Sequence, residues 1–378
     1  MLFEPSQPDD AELAVTEQIE DLRRQLRAQL FEPRRWLGSL RRLSFARAIQ
    51  GSNSIEGFEA SLDDVAAAAA GETPLDADSE TTLALWGYRE AMTYVLQLAN
   101  EPDFAWSDQL LKSLHFMMTS YDLSTRPGLW RAGPIFVHND ATGETAYAGP
   151  DVELVPELMK ALARGLNEPN ATPALIRAGM AHLNLVMIHP FRDGNGRMAR
   201  CLQTLVLARE GVLAPQFCSI EEYLGANTQA YYDVLSLVGG GAWHPERDAR
   251  PWVRFTLTAH LRQARTLLRR VDESEQLWVA LDRLTKEKRI PDRAVPVLFD
   301  AAIGLRVRNA TYRAMHDGEM SEAIAGRDLK TLVERGLLQP HGERRGRHYS
   351  GTDELRALWV AIKGRRPRRN DVDPFAIG

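Results

Sequence analysis

Cysteine is nearly absent from this sequence. Only Cys201 and Cys218 occur, and neither belongs to a C-x-x-C pair, which sets aside a disulfide framework and a thiolate zinc site. Cys201 falls in an apolar helical run, the setting of a buried thiol. No apolar stretch approaches the ~20 residues that a membrane-crossing helix requires. The acidic start MLFEPSQPDDAE lacks the basic and apolar pattern of a secretory leader. These absences point to a reducing cytoplasm and to no membrane partner. Also missing are a GxxxxGK[ST] phosphate loop, an HExxH zinc motif and any internal repeat.

What is present is a typical soluble composition, 44% hydrophobic and 26% charged, over 378 residues. That length predicts two or three domains. The net charge of -5 excludes a uniformly basic nucleic-acid coat but hides an asymmetry. From Leu281 to Gly378 there are 20 Lys and Arg against 14 Asp and Glu, a balance of +6, so the rest of the chain carries -11. Only the C-terminal quarter could face a polyanion.

Apolar residues recur at helical spacing along most of the chain, which predicts an all-α fold. The first dozen residues carry no such pattern and are expected to be disordered. Helices are expected over Ala11 to Leu30 and Arg41 to Gly51, with a third, short one starting near Ser52. Others follow, among them one capped by Ser107. The segments IFVH and TAYA flank NDATGE and predict a β-hairpin. The expected domains are an N-terminal helical region (1–100), a catalytic core (101–275), a winged helix-turn-helix unit (276–355) and a solvated basic tail (356–378).

The segment HPFRDGNGRMAR, from His189 to Arg200, concentrates the chemistry. Pro190 ends the preceding helix. Gly194 and Gly196 admit positive φ, and their N–H groups, with that of Asn195, open a new helix as an anion nest. Arg197 and Arg200 lie three apart on its first turns and can fork onto phosphate oxygens. Asp193 is a hard ligand suited to a Mg²⁺ that arrives with nucleotide phosphates. His189 can take a proton from a hydroxyl. The sum is a phosphate-transfer site. Of the remaining histidines, His182 reads as a core residue and His244 as a loop residue.

This segment resembles the Fic family signature HPFx[DE]GN[GK]RxxR at every specified position. GLWRAGPIFVH and AYAGPDVELVPELM resemble the family's target-binding flap and the helix after it, with Gly149-Pro150 where relatives often have Pro-Pro. The likeness covers roughly Ala11 to Glu273. It implies a Fic helical core with a hairpin flap, and transfer of AMP from ATP, with Mg²⁺, to a Ser, Thr or Tyr hydroxyl of a target protein. It further implies His189 as the base, Asp193 as the Mg²⁺ ligand, Gly194, Asn195 and Gly196 as the anion hole, Arg197 on the phosphates and Arg200 on the γ-phosphate. Gly196 matters because a Lys there marks relatives that phosphorylate instead. Tyr231 and Tyr232 fall where relatives often contact adenine, though aromatic core packing explains them equally well.

SNSIEG has the form [ST]xxxE[GN], the family's inhibitory motif. It implies a brake at about 50–58 carried by Ser52 and Glu56, in which Glu56 pairs with Arg200 and takes the space of the γ-phosphate. Some braked relatives also remove AMP, which is one alternative function. Another is a DNA-binding regulator with a Fic-like sensor core, the basic stretch 306–350 touching DNA. Self-modification and homodimerisation are the other partner expectations.

Overall fold

A computed structural model describes residues 1–138, 143–169, 171–316, 319–343, 346–366 and 372–376. The NDATGE turn, the ERRGRH run and the basic tail each fall partly outside these residues.

The chain is anchored from its start, against the expectation of a disordered leader. Phe3 is buried, its N–H donates to Asn184 Oδ1 at 2.8 Å, and its carbonyl accepts from Asn184 Nδ2. Helix α1 (Asp10–Phe31) begins with a capping box: the Asp9 carboxylate accepts from the Glu12 N–H, and the Glu12 carboxylate from that of Asp9. Its buried stripe of Val15, Ile19, Leu26 and Leu30 packs on α12 (Arg250–Glu287).

Helix α2 runs unbroken from Leu37 to Ser54. The short third helix expected near Ser52 is therefore the last turn of α2 plus the turn that follows it. Gly51 does not stop the helix. It lets α2 lie directly on α10 (Glu221–Ala226), where a Cβ on Gly51 would clash with the Glu221 carbonyl and sit 2.8 Å from Glu222 Cα. Gly225 meets Gly51 from the other side. Helix α3 (Leu62–Ala69) is capped by Ser61, α4 (Ser79–Leu98) by Asp78 and α5 (Asp108–Thr119) by Ser107, whose hydroxyl accepts from the Leu110 N–H.

Strands β1 (Phe136–His138) and β2 (Thr145–Ala148) form the expected hairpin, with Phe136 opposite Ala148 and Val137 opposite Tyr147. The Tyr147 hydroxyl donates to the Met187 carbonyl at 2.8 Å and ties the hairpin to the core. Gly149 packs closely on the hairpin, since a Cβ there would lie 2.7 Å from Ile135 Cγ2 and force that side chain to shift. Helices α6 (Val155–Asn167), α7 (Ala174–Ile188), α8 (Asn195–Arg209), α9 (Pro215–Cys218) and α11 (Thr228–Gly239) complete the central pack. Helices α7 and α8 are buried nearly all round and lie side by side at its centre.

The position expected to begin a separate unit, 276, lies inside α12, which continues to Glu287. Beyond it come α13 (Val295–Ala302), α14 (Asn309–Ala314), α15 (Glu322–Glu334), the antiparallel pair β3 (Leu338–His341) and β4 (His348–Gly351), and α16 (Asp353–Lys363). Val307 pairs with Tyr349 on the free side of β4. Arg306 bridges to Asp63, Asp64 and Asp76, and Arg308 to Glu72, so this region is docked on α3 and the loop after it. The architecture is all-α with two small hairpins. No helix among the described residues is long and apolar enough to cross a membrane.

Candidate active site

Helix α7 delivers His189 in a left-handed conformation, φ 51°. A loop of five residues follows, closed by Gly194 at φ 74° as the N-cap of α8. Positive φ at a non-glycine such as His189 is held only by surrounding structure. Here Arg131 supplies much of it: its Nε donates to the His189 carbonyl at 3.0 Å and its backbone N–H to the Pro190 carbonyl at 2.8 Å. Its remaining nitrogens reach the Gly133 and Pro150 carbonyls, so one guanidinium joins the loop to the base of the hairpin.

The His189 ring bonds through Nδ1 to the Val186 carbonyl at 3.2 Å. A carbonyl only accepts, so Nδ1 carries the proton and Nε2 keeps a free lone pair. Burial drives the His189 pKa down to about 4, Arg131 pushes the same way, and the Val186 carbonyl and the charges of Glu56 and Asp193 oppose them. The ring is neutral near pH 7.

The Asn195 side chain closes a ring of two bonds with Phe191, 2.9 Å each, bracing the loop. What Asn195 offers an anion is thus its backbone N–H. No oxygen among the described residues accepts the N–H groups of Gly194, Asn195 or Gly196, as the geometry of a helix start implies. Arg197 is 1% exposed; it donates to Asp193 Oδ2 and to the Tyr121 hydroxyl at 3.0 Å each, and stacks on Phe58.

Arg200, also 1% exposed, donates from Nε to Ser52 Oγ at 2.8 Å and from Nη2 to the Ser52 carbonyl at 2.9 Å and to Glu56 Oε1 at 2.6 Å. Burial works to raise the Glu56 carboxyl, but Arg200 and Arg197 outweigh it and hold it below its ordinary value. In return, Glu56 overcomes burial and raises the Arg200 guanidinium. The carboxylate lies against the mouth of α8: a Cβ on Gly196 would be 2.5 Å from Glu56 Oε1 and 3.0 Å from Arg200 Nη1. That Nη1 is buried with no partner among the described residues. A donor left unmatched in this way is an opening for a further anionic oxygen.

Asp193 is about half exposed, and its Oδ2 already accepts from Arg197. No cluster of three or more His, Cys, Asp or Glu side chains among the described residues could hold a metal unaided. One half-exposed carboxylate beside an anion nest fits Mg²⁺, which takes few protein ligands and the rest from phosphates and water.

Tyr231 lies in the core, its hydroxyl 2.9 Å from His182 Nε2 and its ring beside Trp252. His182 is a buried residue that also meets Gln203 Oε1 at 2.6 Å. Tyr232 is instead 46% exposed, and its hydroxyl donates to the Ile55 carbonyl in the turn that carries Glu56. Sequence reasoning passed over Phe58, His115, Tyr121 and Arg131. GLWRAGP drew notice only as part of a flap, and nothing in its spacing ties Arg131 to His189.

Residues 105–207 match the sequence model of the Fic/DOC family. Protein adenylyltransferase fic-1 of Caenorhabditis elegans is 37% identical over 106 residues, which are 27% of this chain and 18% of that protein. Protein adenylyltransferase Fic of Nematostella vectensis is 27% identical over 218 residues, 56% of this chain and 46% of that one. The chain thus spans less than half the length of these curated relatives. Among solved structures, a Fic family protein from Desulfovibrio desulfuricans G20 aligns with a TM-score of 0.58 at 21% identity, covering 93% of this chain and 99% of that one. A fragment of Fic-1 from C. elegans aligns at 0.57 and 22% identity, covering 70% and 73%. Residues 105–207 thus carry a Fic/DOC family domain, the His189–Arg200 loop lies within it, and the helical pack that presents the loop shares the fold of solved Fic proteins.

Proposed function

We propose that the protein is an adenylyltransferase that moves AMP from ATP to a Ser, Thr or Tyr hydroxyl of a protein, and that Glu56 holds it in check. The observation that carries this reading is the N-terminus of α8. Among the described residues, the Gly194, Asn195 and Gly196 N–H groups and Arg200 Nη1 lack acceptors, His189 Nε2 keeps a lone pair at the start of the same loop, and the Glu56 carboxylate sits on Arg200 against Gly196. The names of the adenylyltransferase relatives supply the nucleotide.

In the transfer, His189 Nε2 takes the proton of the incoming hydroxyl, whose oxygen bonds to the α-phosphorus. The bond from that phosphorus to the bridging oxygen of the β-phosphate breaks, and pyrophosphate leaves. The α8 N–H groups and Arg197 take up the charge on the phosphate oxygens. A Mg²⁺ held by Asp193 would supply further neutralisation of that charge. Glu56 opposes the reaction by occupying Arg200 and crowding Gly196, so a γ-phosphate cannot seat and the α-phosphate is misaligned.

The test is incubation with ATP and Mg²⁺ in a Glu56→Gly background, read by mass spectrometry. One added AMP is expected on the protein itself or on a target from a lysate, and none with His189→Ala. No AMP in either would refute the proposal. Reading the basic unit as a DNA contact draws less support. Arg306 and Arg308 are engaged by Asp63, Asp64, Asp76 and Glu72, while Arg327, Lys330 and Arg347 are exposed. Gel shifts that weaken with salt would favour it.

A further inference from the structure

His115 on α5 is fully buried and lies outside the signature loop, yet it touches that loop in two ways. Its ring stacks on Phe191 with centroids 3.6 Å apart and planes 1° from parallel. Its Nε2 is 2.9 Å from the Asp193 carbonyl oxygen, and its Nδ1 is 2.8 Å from the Gly128 backbone nitrogen. The partners fix the ring's state. A carbonyl can only accept and an N–H can only donate, so Nε2 bears the hydrogen and Nδ1 bears the lone pair. This tautomer is the opposite of that on His189, where the hydrogen is on Nδ1.

We propose that His115 is a positioning residue: its Nε2–H pins the Asp193 carbonyl and so aims the Gly194 N–H into the phosphate cradle. The link is the peptide plane. There are no cis peptide bonds among the described residues, and in a trans peptide the C=O and N–H point in opposite directions. Holding the Asp193 oxygen on His115 turns the Gly194 hydrogen away from α5. Gly194 is free to swivel otherwise, since glycine tolerates most of φ/ψ space. The far side of the ring closes the chain of constraint. Gly128 opens the GLWRAGP segment, whose Arg131 grips the His189 carbonyl. One imidazole thus spans the segment that braces the base and the peptide that cradles the phosphate.

The inference rests on the AMP-transfer reading for its kinetic arm and can be separated from it. In a Glu56→Gly background, His115→Asn can still offer an oxygen to Gly128 but no donor that reaches Asp193. His115→Gln reaches Asp193 with its amide N–H. Both lose the stack on Phe191 equally. We expect Asn to lower the saturating rate of self-modification by roughly 10- to 100-fold, the scale of a ~1 Å misplacement, with a smaller change in the ATP concentration for half-saturation. Gln should recover most of the loss. Equal damage from Asn and Gln would mean a merely structural ring and would overturn the proposal. So would a ¹⁵N imidazole spectrum placing the His115 hydrogen on Nδ1. If the Glu56→Gly parent takes up no AMP at all, the transfer reading fails instead. The imidazole spectrum, together with calorimetric ATP binding weakened by Asn and restored by Gln, then still decides the role of His115.

Discussion

Replacing Glu56 by Gly removes one carboxylate and should have two opposite effects. The Glu56–Arg200 contact of 2.6 Å corresponds to roughly 6 kcal/mol of Coulomb attraction at an effective dielectric of about 20, most of it offset by desolvation of both groups. Truncating one partner leaves Arg200 buried and uncompensated, a loss on the order of 3–5 kcal/mol in fully buried pairs. Because the Glu56 side chain keeps 23% exposure, the low end applies. The variant should therefore unfold at lower temperature than wild type when free of nucleotide. ATP with Mg²⁺ should reverse this, since a ligand at 100 times its Kd contributes about 2.7 kcal/mol. AMP transfer should rise by at least about 100-fold, the scale of restoring an α-phosphate misplaced by ~1 Å. Glu56→Gln separates the two components of the brake. It keeps the bulk against Gly196 but exchanges the ion pair for a bond from the charged guanidinium to a neutral amide oxygen, so partial release is expected. The assay is radiolabelled ATP incorporation alongside thermal unfolding with and without nucleotide. Unchanged incorporation in Glu56→Gly, together with a nucleotide response equal to wild type, would refute the reasoning.

Other outcomes follow from the same geometry. With the His189 pKa held near 4 by burial, the base is already free well below neutrality, so transfer by Glu56→Gly should show no inflection near pH 6.5 and should fall only as pH drops toward 4; removing the Glu56 charge takes away one influence that raises this pKa. The Glu56 carboxyl lies below its ordinary value, so the stability from its pairing is fully present above about pH 4.5 and lost only as pH falls through the lowered value. Wild-type inhibition should accordingly be constant across pH 6–8 in the same incorporation assay. Gly51→Ala should lower the urea midpoint by the equivalent of about 1–3 kcal/mol, because the new methyl meets α10 backbone that cannot turn aside; an unchanged midpoint would contradict that packing. Cys201 and Cys218 are buried, and burial pushes both thiols up, so a thiol reagent should modify neither in the native protein and both after unfolding.

Much of the site was legible in the sequence because its chemistry is compressed into twelve residues. Proline stop, glycine bend and helix start are local events, so His189, the nest and Arg200 could be placed without tertiary information. The long amphipathic helices and the capping residue Ser107 were legible for the same reason. Three things were not. Gly51 suggested the end of a helix, whereas its role is set by α10, about 170 residues away. The N-terminal segment lacks periodicity because Phe3 is held by a single pocket and one amide pair with Asn184, neither of which leaves a repeating pattern. His115 and Arg131 act on carbonyl oxygens, and backbone acceptors have no residue type to betray them. Tyr231 and Tyr232 are adjacent and alike in sequence, but their environments differ because successive residues on a helix face about 100° apart.

The 38 residues of α12 form a spar of about 57 Å at 1.5 Å per residue. It begins beside α1 and ends beside α13 and α16, with Leu277, Trp278 and Leu281 buried across the join. Arg366, near the far end of the chain, returns to Glu273 on it at 2.6 and 2.8 Å. A cut at 275 would therefore sever a helix in mid-course and bare an apolar seam on both fragments. Neither half should be expected to behave as an excised module, because the join is a continuous helix and a shared apolar seam, where a linker would leave two separable surfaces.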